Sequence, residues 1–264
     1  EITCRDWSSD VCSSDLISRA DRVILAGDHC QLPPTIKCIE AARGGLGRTL
    51  LEKVVLHKPE TVSLLKIQYR MHEDIMRFPS RWFYHDELEA APEVKYRGIL
   101  DFDTPVSWID TSELDLQEKA VAEGTGRLNT GEAELLVREL KNYMERIGIR
   151  RILEEHIDFG VISPYRAQVH YLRHLLKKEP FFRPCRRLIT VHTVDGFQGQ
   201  ERDVIMISLV RANEKGQIGF LRDLRRMNVA ITRARMKLLI LGEAVTLTRH
   251  PFYRELYEYI GGLR

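Results

Sequence analysis

A parallel α/β sheet with helices on both faces is the fold this sequence predicts, and three observations predict it. Six short apolar runs, at 22–26, 62–66, 159–163, 188–191, 204–210 and 238–242, alternate with stretches of helical periodicity. Most of those runs are too apolar for a sheet with one wet face, which is the pattern of parallel strands covered on both sides. The chain has 264 residues, 44% of them apolar, enough to bury a core of that kind. No internal repeat or low-complexity tract interrupts the alternation.

Taken in order, the first sixteen residues, EITCRDWSSDVCSSDL, are rich in Ser and Asp and follow neither the helical nor the strand period. Asp6 to Leu16 resembles the translated read-through of a sequencing adapter, the alternative being a natural Ser-rich loop. Residues 1–16 are therefore set apart as an artefactual segment, which moves the formal net charge from +2 to +5. The strand at 22–26 then stops at Gly27, and Pro33 and Pro34 forbid a helix directly beyond it. A helix at 46–56 leads to the strand at 62–66, and further helices are expected at 131–147, 166–178, 223–232 and 252–260, interleaved with the remaining strands.

Composition removes several function classes. No apolar run approaches the ~20 residues of a membrane span, and no basic-then-apolar leader is present, so no membrane partner is expected. Five cysteines without a C-x-x-C pair argue against a zinc module or disulfide scaffold and for a reducing compartment, the cytoplasm or, in a eukaryote, the nucleus. Charge is uneven along the chain. Residues 202–237 carry nine Lys or Arg against three acids, whereas 101–134 carry nine acids against Lys119 and Arg127. An anionic ligand should avoid the acidic side.

Five polar clusters sit at junctions of apolar runs, and in open α/β sheets ligands collect at the carboxyl ends of strands. VILAGDHCQLPP exposes Asp28, His29 and Gln31, where a Gln can sense an oxygen-rich ligand, although Asp-rich turns are also common. IQYRMH sets Tyr69 beside Arg70, a ring for a base and a fork for phosphate oxygens, or simply a packed ring beside a surface charge. VISPYRAQ places Ser163, Pro164, Tyr165 and Arg166 where a helix begins, a place that favours anions or simple capping by Ser163.

TVHTVDGFQGQERD brings Thr193 and Glu201 together around glycines that allow close backbone approach, and Glu201 can accept from ribose hydroxyls. LRRMNVAITRARMKLLIL aligns Arg225, Arg226, Arg233 and Arg235 around a helix and strand; some are solvated, and Arg233, where helix meets strand, suits a phosphate contact. His29, His72 and His192 lie within these clusters without metal partners at useful spacing, so they are read as orienting or packing groups.

In this order GDHCQLPP, QYRMH, SPYRAQ, TVDGFQGQERD and NVAITRAR resemble helicase motifs III, IV, IVa, V and VI of the Upf-like branch of superfamily 1B, the immunoglobulin-mu-binding-protein type. The likeness runs from about Ile17 to Gly261. It implies a RecA-like sheet, ATP with Mg²⁺, and stepping along single-stranded DNA or RNA in the 5′-to-3′ direction. Carried over by residue, it implies γ-phosphate sensing by Gln31, adenine stacking by Tyr69, arginine fingers at Arg70 and Arg233, and a ribose contact at Glu201. Ser163, Pro164, Tyr165, Arg166 and Thr193 match positions facing the nucleic-acid backbone.

The departures from that pattern set the expected limits. No G-x-x-x-x-G-K-[ST] loop occurs, and GGLGRT at Gly44 to Thr49 lacks the spacing and the lysine, so it is read as the lead-in to a packing helix. The Asp-Glu pair that holds Mg²⁺ would map to about residue 3, inside the segment set apart. The resemblance thus implies that residues 17–58 are the tail of a first RecA-like domain and 59–264 a second one, with the rest of the first domain as the missing partner. An ATP-dependent clamp or remodelling switch that does not unwind uses the same motifs, and the motifs favour neither RNA nor DNA.

Overall fold

The computed structural model describes residues 19–33, 48–121 and 126–263. The chain divides into two compact units, with the boundary along the sequence between Leu64 and Leu65.

In the first unit, helix α1 (Leu50–His57) starts where the Thr49 hydroxyl accepts from the Glu52 amide at 3.1 Å, the standard way to satisfy a free helical N–H. None of its residues is fully buried, and the packing expected of the helix after GGLGRT is limited to partly covered residues such as Leu51, which lies against Gly27. Residues 22–26 are not a strand: they are exposed, Ile24 at 95%, and pair with nothing among the described residues. Apolar composition makes a good strand only where a ladder partner takes its N–H and C=O groups.

The second unit begins with two tiny parallel strands, β1 (Ile67–Gln68) and β2 (Glu89–Ala90), linked by α2 (Glu73–Phe83) and followed by α3 (Pro92–Lys95). The strand expected at 62–66 is therefore displaced to Ile67–Gln68; residues 62–66 themselves are exposed and join the β1-β2 ladder only at its edge, where the Lys66 carbonyl accepts from the Glu89 amide at 2.8 Å. Next come β3 (Val106–Asp110), the antiparallel pair β4 (Lys119–Ala120) and β5 (Arg127–Leu128), α4 (Thr130–Ile147) and α5 (Ile149–Glu154). The remaining elements are β6 (Phe159–Ser163), α6 (Arg166–Lys178), β7 (Ile189–Thr193), α7 (Val194–Phe197), β8 (Arg202–Ser208), α8 (Leu224–Ile231), β9 (Ala234–Gly242), α9 (Ala244–Leu247) and α10 (Pro251–Gly261).

Five strands form one all-parallel sheet in the order β3-β9-β8-β6-β7. On one face α4 and α6 close over Phe159, Val161, Val204 and Met206 with Leu136, Leu140 and Leu172. On the other, Phe78 of α2 meets Phe252 of α10 edge to face at 5.2 Å, and Gly160 makes room for Ile205 and Phe197. Both faces are dry, which is why β6 and β8 read as unbroken apolar runs. None of the helices among the described residues is long and apolar enough to cross a membrane.

Candidate functional site

Three of the guanidinium groups singled out in the sequence, Arg70, Arg233 and Arg235, gather at the amino ends of β8 and β9, not at carboxyl ends. Glu201 immediately precedes β8, Arg233 immediately precedes β9, and Arg235 is the second residue of β9. A polar junction before a strand lies at that strand's amino end in a parallel sheet, so the carboxyl-end expectation holds only for junctions that follow strands.

Arg70 and Arg233 both bond to Thr232 here. Arg70 Nη1 donates to the Thr232 carbonyl at 3.2 Å, and Arg233 Nη2 donates to the Thr232 hydroxyl at 3.2 Å. Arg70 Nε also pairs with Glu201. Arg233 is buried, its Nε and Nη1 donating to the Val229 and Gln200 carbonyls at 3.1 Å each. Arg235 forks onto the same Glu201 carboxylate at 2.9 and 3.0 Å and reaches Asp203 at 3.2 Å. Burial pushes the Glu201 carboxyl up, but hydrogen bonds from Arg235 and Arg70 outweigh it and hold the group below the usual range, hence ionised.

Local sequence explains how these groups are held. The Gln68 side chain accepts from the Arg70 and Met71 amides at 2.9 and 2.7 Å, fixing the turn that carries Tyr69 and Arg70. The His72 amide donates to the Arg235 carbonyl at 2.8 Å, tying that turn to β9, while its Nδ1 accepts from the Asp74 amide at 3.1 Å and caps α2. Burial lowers the His72 pKa, which keeps Nδ1 free to accept. Tyr69 is 69% exposed beside this site, with its ring open to a ligand.

The opposite, carboxyl ends of β6 and β7 carry Ser163 and Thr193. Here the expected backbone-facing set divides. Arg166 is exposed and Pro164 and Thr193 are partly so, but Ser163 and Tyr165 are buried, with no surface to offer a strand. Ser163 Oγ accepts from the Tyr165 amide at 3.5 Å, and the Tyr165 hydroxyl accepts from Arg211 Nη1 at 3.3 Å, so both shape the loop from inside.

Behind them lies a buried polar network that sequence reading missed. Glu132, in the first turn of α4, accepts from the Ser208 hydroxyl at 2.5 Å and the Val210 amide at 2.9 Å, and its Oε2 has no hydrogen-bond partner among the described residues. Gln168 donates to Ser208 and to the Asn129 carbonyl, both at 2.9 Å. Burial pushes the Glu132 carboxyl up to about 7. The only available signal was Asn129-x-x-Glu132, which reads as an ordinary surface cap.

Gln31 belongs to the first unit. Its Nε2 donates to Asp28 at 2.8 Å and Asp28 also accepts from the Cys30 amide at 2.9 Å, so the GDHCQ turn is built around one carboxylate. Asp28, His29 and Cys30 bring one ligand atom each within 4.8 Å, the one such group among the described residues and a departure from the metal-free reading of His29. Burial and Asp28 push the Cys30 thiol up to about 11, and a protonated thiol is a poor metal ligand. Residues 1–16 and Gly44 to Gly47, where the adapter-like segment, the displaced Asp-Glu position and most of GGLGRT fall, lie outside the described residues.

The AAA domain family matches residues 46–245. This chain belongs to that family. It is 36% identical over 258 residues to "Uncharacterized ATP-dependent helicase MJ0104" of Methanocaldococcus jannaschii, covering 92% of this chain and 35% of that protein. It is 36% identical over 252 residues to "DNA-binding protein SMUBP-2" of Rattus norvegicus, covering 91% and 24%, and 38% identical over 249 residues to "DNA polymerase alpha-associated DNA helicase A" of Saccharomyces cerevisiae, covering 86% and 35%. The chain thus spans between a quarter and about a third of the length of these relatives. They are of the Upf-like superfamily 1 kind that the five motifs resemble.

Proposed function

We propose that this chain is the C-terminal motor half of an ATP-dependent 5′-to-3′ helicase on single-stranded DNA or RNA, residues 17–58 closing a first RecA-like domain and 59–264 forming the second. The observation that carries this reading is that Arg70 and Arg233 share Thr232 as a hydrogen-bond partner, beside the ionised Glu201. Two cations at one strand end suit the charge that develops on a transferring phosphoryl group, Arg233 only on giving up the Val229, Gln200 and Thr232 acceptors that hold it buried. Arg70 is the partly exposed member and would reach the phosphate first; Glu201 releases it by keeping Arg235 as partner. Tyr69 would stack on the adenine and Glu201 accept from the ribose, while Gln31 would sense the γ-phosphate from the upstream domain.

Mg²⁺ does not fit this end of the sheet. Glu201 and Asp203 are engaged by arginines and Asp158 by the Asp203 amide at 2.7 Å, so no carboxylate here offers the open oxygen ligands an octahedral ion takes. Its ligands are assigned to the upstream half, and the chain alone is expected to bind ATP poorly and hydrolyse it negligibly.

Two connectors support coupling between ATP and strand. Residues 193–201 run from Thr193 at the carboxyl end of β7 to Glu201 at the amino end of β8, and α8 runs back to Arg233. The test is the ATPase of the intact parent with and without single strands. Arg70→Ala and Arg233→Ala should each lower turnover by about 10³-fold or more. A parent with a normal P-loop and no strand-stimulated ATPase would refute the reading. Hydrolysis without translocation would favour a clamp or remodelling switch instead.

A further inference from the structure

We infer that Phe220 is a base-stacking platform at the carboxyl end of the sheet, on which a single-stranded nucleic acid lays one of its bases; this rests on the nucleic-acid reading above. Phe220 is 42% exposed, whereas its neighbours Ile218 and Leu221 are buried. The turn Gly219–Arg222 is held from both sides. Tyr253 Oη donates to the Leu221 carbonyl at 2.8 Å, and the buried Tyr165 ring supports the Phe220 ring at 5.4 Å between centroids. Gly219 has φ +55, and a Cβ there would lie 2.5 Å from Arg211 Nη1 and 2.7 Å from Tyr165 Oη. The backbone can approach this closely only without a side chain, and the result is a rigid pedestal under an outward ring.

The surroundings select the occupant. Arg226 lies over the Phe220 ring at 5.8 Å, and its charge is shared with Asp195 at 3.7 Å and Asp223 at 3.6 Å. Arg222, two residues after Phe220, and Arg166, the chain neighbour of Tyr165, are exposed. A base stacking on this ring takes the place of Arg226 over its face, leaving that guanidinium to Asp195, Asp223 and the phosphates of the strand. The burial of Tyr165 gives it a purpose here: it is the support under the platform and not itself the contact.

The experiment measures binding of the full chain to fluorescent oligothymidine and to an abasic strand of equal length. Phe220→Ala and Phe220→Leu should weaken oligothymidine binding by about 5- to 150-fold and leave abasic binding unchanged. Leu keeps the apolar contact with Tyr165, so an unchanged melting temperature with lost affinity assigns the effect to the ring face. Phe220→Trp should retain binding and show fluorescence quenched by the based strand alone. If both truncations bind like the unaltered chain, or based and abasic strands bind it equally, the platform is overturned and the nucleic-acid reading stands. If the unaltered chain binds neither strand, the platform falls together with that reading.

Discussion

Replacing Glu132 with Gln should remove a falling pH dependence from the stability of the second unit. The carboxyl titrates near 4.5 in an unfolded chain and at about 7 in the fold, because burial disfavours its charged form more than Ser208 and Val210 favour it. The folded state therefore holds the proton more tightly between those values. Its contribution is fully present below the unfolded pKa and is lost as pH rises through about 7. A shift from 4.5 to about 7 is worth about 3 kcal/mol. Urea unfolding of both proteins, followed by circular dichroism from pH 4.5 to 8, gives the stability difference at each pH. Glu132→Gln should gain about 3 kcal/mol on the native chain across that range, less a constant offset of about 1–2 kcal/mol for an amide donor left without an acceptor. A difference that stays flat with pH, or that moves the other way, would refute the reasoning.

His72→Asn should make α2 insensitive to mild acid. Burial lowers the His72 pKa, so its contribution is present above the ordinary value of 6.5 and is lost as pH falls through the lowered one; Asn keeps a capping oxygen that does not titrate, and thermal melts at pH 5 and 8 read the contrast. Gly219→Ala should destabilise the unit by at least about 1 kcal/mol, because φ +55 is disfavoured with a side chain and the new methyl meets Arg211 and Tyr165. Equal melting temperatures for Gly219→Ala and the native chain would contradict the close packing of that turn.

Particular residues show why some of the fold was legible. Helix α6 is found where its period places it, at Arg166–Lys178, because Val169, Leu172 and Leu176 recur on one face and are buried. Strand β6 matches its apolar run because both its faces are covered. Strand β3 escaped notice because it is a sheet edge: Val106 and Trp108 face inward, Ser107 and Ile109 are only partly covered, and the run lies among acids, so its composition resembles a loop. Helix α2 contains Pro79, which reads as a breaker, yet Ile75, Met76 and Phe78 supply enough buried surface to hold it.

The candidate site was legible in its residue types and illegible in its polarity along the sheet. Sequence order brings Arg70, Glu201 and Arg233 into one set of motifs, but which end of the sheet each junction occupies depends on strand order and direction. Those follow from pairing between segments far apart in the chain, such as Ile205 with Leu238 and Val106 with Leu238. The same limit explains Ser163 and Tyr165. A polar residue after a strand is exposed only if no later segment folds over it, and here residues 209–222 do so, with Arg211 reaching Tyr165 across 46 positions of sequence. Phe220 is the converse: an apolar residue in a basic stretch, turned outward because Gly219 lets the backbone pass close to Tyr165 and leaves the ring no room beneath. Burial of polar groups and exposure of an aromatic are thus two results of one packing event, the closing of that loop onto the end of the sheet.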